Sequence, residues 1–273
     1  MLKKVEVVVV LGMIALAVGS TAAQTEFAYF GSEGPAFWGR LDPAWEACGA
    51  GREQSPINFG KHALLTAVHR KAVPVAYERS TGQILNNGHT IEIETEGHNV
   101  LLINGVEYKL QQFHFHGSSE HTFEGRGSDM ELHLVHKSAA GGTAVVGVLV
   151  ERGASSGALA PIFAQLPNDI GVSHPLPEPF TPSDFLPGNR AYYPYEGSLT
   201  TPPCTEGVHW IVLKDPIYVS TEDLAQYHQR IHFNARPVQR SSSRTSWTVC
   251  CCCDPTLRTN EVIREPGHSS VSE

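Results

Sequence analysis

The chain has 273 residues, with 20 Lys and Arg against 28 Asp and Glu, and a formal net charge of -8. This length allows one large domain or two small ones, and shares of 41% apolar and 18% charged residues exclude a wholly disordered, collagen-like or coiled-coil chain. The acidic balance argues against a nucleic-acid partner, which would require a basic surface. Five of the 14 histidines lie between His114 and His136, so we expect the function there.

The N-terminal segment has the three parts of a secretory signal peptide. Lys3 and Lys4 precede an apolar run from Val7 to Val18, and Thr21-Ala22-Ala23 supplies the small residues that favour cleavage after Ala23. A retained membrane anchor is the alternative, but a span needs about 20 apolar residues. We therefore predict an exported protein, periplasmic most simply but extracellular as an alternative, with no membrane span in the mature chain.

Strand signals dominate the chain that follows. Residues Thr90 to Glu96 alternate strictly, and two apolar runs between Val100 and Leu110 are joined by Asn104-Gly105, a pair typical of a tight hairpin turn. Further strands are predicted at Met130 to His136, Ala144 to Val150 and Val208 to Leu213. The last two are nearly all apolar, which predicts burial on both faces.

Helical signals are few and short. One helix is predicted from Ala158 to Gln165, and a second from Thr221 to Arg230, where Ser220 or Thr221 caps the start. Proline-rich stretches at 175–179 and 182–187 predict irregular loops. The sequence therefore predicts one mainly β domain with peripheral helices.

The histidine cluster has the alternation of a metal site built on strands. Side chains of a strand point to opposite faces in turn, so Gln112, His114 and His116 share one face. On the strand from Met130, the same rule places Glu131 and His133 on one face and excludes His136. If the two strands are neighbours, three imidazoles converge and leave one metal position open, as in a catalytic zinc site.

Acceptors for these imidazoles are also visible. A ligating histidine usually donates its other ring N–H to an acceptor, and Gln112 and Glu131 each lie two residues before a predicted ligand. A competing set, His114, His116 and His121, is weaker because the Asp-His ending of binuclear metallohydrolase motifs is absent. Structural histidines without a metal are the remaining alternative.

The six cysteines fall into two groups. Cys48 and Cys204 are separated by 156 residues, and an exported protein permits a bridge between them; two buried thiols are the alternative. Cys250 to Cys253 form one uninterrupted run. That run fits neither a spaced zinc motif nor a disulfide framework, and we have no physical account of it.

Taken in order, these motifs resemble the α-class carbonic anhydrases, in particular their secreted bacterial members. The resemblance spans about residue 27 to 240 and is carried by Tyr29, Gly34-Pro35, Trp38, Gln54 to Ile57, Asn87-Gly-His89, Gln112 to His116, Ser119 to His121, Glu131 to His136, Ser198 to Pro203, Val208 to Leu213 and Asn234 to Gln239. It implies a large, twisted, mostly antiparallel central sheet with short peripheral helices. It also implies a Cys48–Cys204 disulfide.

The resemblance further implies an activity. Zn²⁺ bound by His114, His116 and His133 lowers the pKa of its water to about 7, and the resulting hydroxide attacks CO2 to give bicarbonate and a proton. Thr200 accepts a hydrogen bond from the hydroxide and donates its own to Glu120, because an ionised carboxylate only accepts.

The remaining site residues follow from the same resemblance. The CO2 pocket is implied at Val135, Val145, Leu199, Thr201 and Trp210. His89 matches the residue that carries the proton to bulk solvent, a role that suits a histidine of pKa near 6.5. Tyr29 matches a residue that orders the intervening water, and Asn87 is a second candidate for that task.

We therefore divide the chain into a signal peptide at 1–23, a carbonic anhydrase domain at 24–240 and an atypical Ser/Arg/Cys-containing tail at 241–273. The expected ligands are CO2 and bicarbonate, and the expected assembly is a monomer or homodimer. Two alternative functions remain: a silent or weak zinc- or ligand-binding module on the same scaffold, and a zinc esterase. For the tail, the alternatives are a reading-frame slip, a genuine extension with metal or redox chemistry, and a disordered segment.

Overall fold

A computed structural model describes residues 25–61, 72–155 and 157–240. The predicted signal peptide, the tail and Cys250 to Cys253 lie outside these residues. No helix within them is long and apolar enough to cross a membrane.

One twisted sheet dominates this part of the chain. Its eleven strands are β2 Val75–Ala76, β3 Gly82–Asn86, β4 Ile91–Thr95, β5 Val100–Ile103, β6 Val106–His116, β8 Met130–Ser138, β9 Thr143–Arg152, β10 Ser173–Pro175, β11 Tyr192–Ser198, β12 Glu206–Leu213 and β13 Ile217–Val219, while β1 Asn58–Phe59 pairs with β7 Thr122–Phe123. The main order is β10-β3-β4-β6-β8-β9-β12-β11. Pairing in this sheet is antiparallel except where β12 and β13 run parallel to β9, which confirms the predicted sheet.

Helices are short and peripheral, as predicted. Those that lie wholly within the described residues are α1 Trp38–Leu41, α2 Ala47–Ala50, α3 Ala160–Phe163 and α4 Thr221–His228, with 3-10 turns at Gly31–Glu33, Pro43–Trp45 and Pro182–Phe185. The Ser220 hydroxyl oxygen accepts the Asp223 N–H at 3.0 Å and caps α4, so the first of the two predicted caps is correct. Both predicted helices extended too far, since α3 and α4 end at Phe163 and His228.

The two proline-rich stretches were wrongly predicted to be irregular throughout. Pro175 pairs with Gln83 at the end of β10, an edge strand, where a missing N–H can face outward. Pro182 begins a 3-10 turn, a position at which proline's fixed φ is tolerated and its N–H is not needed.

The sheet separates two apolar layers, and alternation assigns each side chain of a strand to one of them. Phe113, Phe115, Leu132 and Leu134 are fully buried in the larger core. Val145 and Trp210 belong to a second cluster. At one end of the sheet, Cys48 of α2 is bonded to Cys204, with 5.0 Å between their Cα atoms, as the resemblance implied.

Candidate metal centre

The three predicted zinc ligands meet on one face of the sheet. His114 and His116 lie on β6, and His133 on β8 is the direct cross-strand partner of His114. One ring nitrogen from each approaches the others, all within 4.8 Å. Phe113 and Phe115 pack into the core behind them, so the strand alternation places these imidazoles together.

Each of the three imidazoles has its second ring nitrogen held by an oxygen. The pairs are His114 Nδ1 with Gln112 Oε1 at 2.8 Å, His116 Nδ1 with the Asn234 carbonyl at 2.7 Å, and His133 Nε2 with Glu131 Oε1 at 2.9 Å. Because these oxygens accept hydrogen bonds, the opposite nitrogens carry lone pairs that are free for a metal.

A cation fits the donor set that these residues present. His116 Nε2 is buried and has no hydrogen-bond partner among the described residues, an arrangement that is costly unless a ligand satisfies the atom. Three imidazoles within reach of one point are donors that suit Zn²⁺, and three protein ligands leave a position for substrate or water.

Burial keeps the three imidazoles neutral, as metal ligands must be. It is the largest cause in each case, lowering the pKa of His116 to about 4 and that of His114 well below its usual range. The pKa of His133 is also lowered, by burial and then by the neighbouring His116.

Glu131 fixes the orientation of several groups around this centre. Its Oε2 accepts the backbone N–H groups of Glu120 at 2.9 Å and His121 at 2.8 Å, and its Oε1 contacts His121 Nδ1 at 2.7 Å and His133 Nε2. Burial opposes ionisation, but these histidines outweigh it and hold the pKa of Glu131 well below its usual range.

His121 is occupied at both ring nitrogens. Nδ1 contacts Glu131, and Nε2 contacts the Tyr195 hydroxyl at 2.6 Å. His121 therefore has no lone pair directed at a metal, although it lies near His133. The alternative ligand set that included His121 is accordingly not supported, and Tyr195 is a partner that sequence reasoning missed.

Glu120 and Thr200 are both buried beside the histidines. Glu120 Oε1 accepts the Arg236 backbone N–H at 2.8 Å, whereas Oε2 lies 4.0 Å from His133 Nδ1. Burial raises the pKa of Glu120 to about 7, against the lowering effects of His133, the Arg236 N–H and the Thr200 hydroxyl. The structure thus brings Thr200 and Glu120 together as predicted.

His89 lies in the turn between β3 and β4, half-buried at the edge of a cleft of about 240 Å³ that Tyr29 also lines. Its ring stacks on Phe27, with 4.0 Å between the ring centroids. Partial burial lowers the pKa of His89, and Glu26 opposes the shift. The Asn87 side-chain oxygen accepts the His89 and Thr90 N–H groups at 3.0 and 2.9 Å, so this oxygen shapes the turn.

Four predicted pocket residues share one apolar cluster. Val145 and Trp210 are buried in it, and Val135 and Leu199 pack against it. The Trp210 ring lies 4.9 Å from that of His133, so the cluster adjoins the metal centre. Thr201 is half-buried in the adjoining turn, where its carbonyl accepts the Cys204 N–H at 2.8 Å.

Two further residues of the centre, Asn234 and Arg236, received no role from the sequence. They act on His116 and Glu120 through backbone groups, which residue type does not reveal. The sequence feature that could have indicated these two residues is the Asn234 to Gln239 motif, a stretch without strand or helix periodicity.

A three-histidine centre with an open position, set on the face of a large sheet beside an apolar pocket, defines a class of metalloenzyme. The model of the eukaryotic-type carbonic anhydrase family matches residues 33–248. The chain therefore belongs to the eukaryotic-type, or α, carbonic anhydrase family, as the resemblance predicted. Members of this family are zinc-dependent enzymes that act on CO2 and bicarbonate.

Individual relatives support the same family assignment. The chain is 37% identical to a carbonic anhydrase of Pectobacterium carotovorum over 235 residues, which cover 85% of this chain and 95% of that one. The α-carbonic anhydrase of Thermovibrio ammonificans, solved with sulfanilamide, has a TM-score of 0.76 at 38% identity, covering 81% of this chain and 98% of that one. Dioscorin, solved with ascorbate, has a TM-score of 0.74 at 33% identity, with coverages of 81% and 96%.

Proposed function

We propose that this protein catalyses the reversible hydration of CO2 to bicarbonate and a proton, with Zn²⁺ held by His114, His116 and His133. The convergence of three neutral imidazoles, each fixed through its other nitrogen, carries the proposal. When bound, zinc lowers the pKa of a coordinated water to about 7 and so supplies a nucleophile at neutral pH. The disulfide supports an exported enzyme, and we propose the periplasm.

Thr200 and Glu120 orient that nucleophile. An ionised carboxylate only accepts hydrogen bonds, and Glu120 Oε1 already accepts from Arg236. The Thr200 hydroxyl must therefore donate toward Oε2, which leaves its own oxygen as an acceptor for the nucleophile. A divalent cation nearby favours the ionised form of Glu120, which strengthens this arrangement.

The apolar cluster receives CO2. The molecule has no charge to bind, so a wall of Val135, Val145, Leu199 and Trp210 next to His133 is suitable, with Thr201 at the adjoining turn. Excluding competing water from this wall also strengthens the electrostatic interactions at the centre.

His89 carries the released proton to bulk solvent. It is half-exposed and lines the same cleft as Tyr29, and an imidazole, whose ordinary pKa is about 6.5, can accept and release a proton close to neutral pH. Tyr29 is assigned to ordering water in the cleft. Asn87 positions His89 through its turn.

A ligand-binding module without catalysis is the alternative that the scaffold itself raises, since dioscorin was solved with ascorbate. The complete set of three histidines with their acceptors favours catalysis over that alternative. Ester turnover without CO2 hydration would instead indicate a zinc esterase.

Stopped-flow CO2 hydration combined with metal analysis tests the proposal. His114→Asn should lose most bound zinc and the activity, whereas His98→Asn, at an exposed histidine outside the centre, should retain both. His89→Ala should lower kcat about tenfold or more at an unchanged KM, and added imidazole should restore it. A zinc-loaded wild-type protein that hydrates CO2 no faster than buffer would refute the proposal.

A further inference from the structure

A chain of buried hydrogen bonds connects Glu120 to the turn at 199–205, which joins β11 to β12 and contains Thr200. The chain does not pass through the histidines. Gln54 Nε2 donates to the Cys204 carbonyl at 3.0 Å, and Arg236 Nη1 donates to Gln54 Oε1 at 2.9 Å. The Arg236 backbone N–H then donates to Glu120 Oε1 at 2.8 Å. One end of the chain is therefore Glu120 itself, and the other end is the turn that carries Thr200.

The end at Cys204 lies in the same hydrogen-bonded turn as Thr200. Within the turn, the Leu199 N–H donates to the Thr205 carbonyl at 3.0 Å, and the Cys204 N–H donates to the Thr201 carbonyl at 2.8 Å. Cys204 is also covalently bonded to another element. A displacement of the Cys204 carbonyl would therefore move the whole turn.

Arg236 is only 2% exposed. Its two terminal nitrogens donate to three oxygen atoms, whereas its Nε has no hydrogen-bond partner among the described residues. Its guanidinium donates to the Ser55 carbonyl at 2.8 Å and the Cys48 carbonyl at 2.9 Å, and it lies 5.6 Å from the ring centroid of Trp38. Burial lowers the pKa of Arg236 to about 10, so the group stays charged at neutral pH. A buried charge needs its partners, which makes this geometry resistant to displacement.

The Gln54 amide provides both a donor and an acceptor and so serves both neighbours. Its Nε2 donates to the Cys204 carbonyl and to Glu206 Oε1 at 2.9 Å, while its Oε1 accepts from Arg236, which has only donors. Gln54 is 5% exposed. A replacement that removes its amide atoms therefore leaves buried partners without hydrogen bonds.

We propose that Gln54 and Arg236 are positioning residues that fix the separation of Thr200 and Glu120, an inference that rests on the proposed function. Neither side chain touches the reacting atoms. Glu120 Oε2 has no hydrogen-bond partner among the described residues, so it is available to the Thr200 hydroxyl. A misplacement of about 1 Å at such a pair lowers a rate about 100-fold.

Kinetics of Gln54→Leu, Arg236→Lys and the double variant test this role. We expect kcat for CO2 hydration to fall about tenfold in each single variant, with KM within about twofold and zinc content unchanged. Because the two residues act as one unit, the double variant should lose no more than the worse single variant. Tyr77→Phe, which removes a part-buried hydrogen bond to His136 on the other face of β8, is the control that lowers stability without lowering kcat.

Amide hydrogen exchange in the zinc-free protein gives a readout independent of activity. The residue 236 amide should exchange at least about tenfold faster in Gln54→Leu, while the His121 amide, bound to Glu131, should not change. Wild-type kcat in the folded, zinc-loaded variants, together with wild-type exchange in their zinc-free forms, would overturn the positioning role. If the zinc-loaded wild-type enzyme does not hydrate CO2 but Gln54→Leu still accelerates exchange of the residue 236 amide, the proposed function is refuted. The hydrogen-bond chain itself would then stand.

Discussion

His136 gives a prediction about acid stability that is separate from catalysis. It is fully buried on the face of β8 opposite His133, and its Nε2 contacts the Tyr77 hydroxyl at 2.7 Å. The two rings stack with centroids 5.9 Å apart. Burial lowers the pKa of His136 from 6.5 to about 4, so the folded protein keeps this imidazole neutral.

The sign of the effect follows from where protons bind. In the unfolded chain His136 has a pKa of about 6.5, so between pH 6.5 and 4 the unfolded state binds more protons than the folded state. Stability therefore falls as the pH falls through this interval and levels off below the folded pKa. At about 1.4 kcal/mol per pKa unit, the shift corresponds to about 3 kcal/mol.

Urea unfolding of the metal-free protein at pH 7 and pH 4 measures this loss. His136→Gln keeps a neutral polar group beside Tyr77 but does not titrate, so wild type should lose about 3 kcal/mol more than the variant between the two pH values. The zinc ligands titrate equally in both proteins and cancel. The same pH dependence in wild type and variant would show that burial does not suppress protonation of His136.

Replacing Cys48 and Cys204 together by Ser should lower the free energy of unfolding by up to about 5 kcal/mol on the chain-entropy model, since the bridge closes a loop with a sequence separation of 156. Chemical denaturation measures this loss of stability. A loss below about 1 kcal/mol would contradict the model. Gln112→Leu removes the acceptor of His114 Nδ1 and should weaken zinc binding about 10- to 100-fold in competition with a chelator. Gln112→Glu keeps an acceptor there and is the matched control; equal affinity in all three proteins would exclude orientation of His114 by this contact.

The parts of the centre that lie on two adjacent strands could be predicted from sequence. The alternation along β6 and β8 determines which side chains share a face, and it brought Gln112, His114 and Glu131 to the correct side. The disulfide and the Thr200 contact with Glu120 required the family resemblance, because they join segments far apart in the chain.

The remaining features depend on tertiary structure that local patterns do not encode. The short helices α1 and α2 have four residues each and lack a full amphipathic repeat. Strand β11 contains Pro194, a residue that argues against a central strand but is tolerated on an edge. Arg236 is charged, and its type alone predicts a surface position, whereas it is buried against Trp38.

The segment at 231–240 completes the centre although most of the site residues come from the middle of the chain. The Asn234 carbonyl fixes His116, its side-chain oxygen accepts the Gly117 N–H at 2.8 Å, and Arg236 fixes Glu120. During synthesis, folding generally proceeds from the N-terminus, so His116 lacks its acceptor until residue 234 has emerged. If these histidines hold zinc as proposed, tight metal binding must wait for residue 234, and a chain that ends before this point should carry all three histidines yet bind zinc weakly.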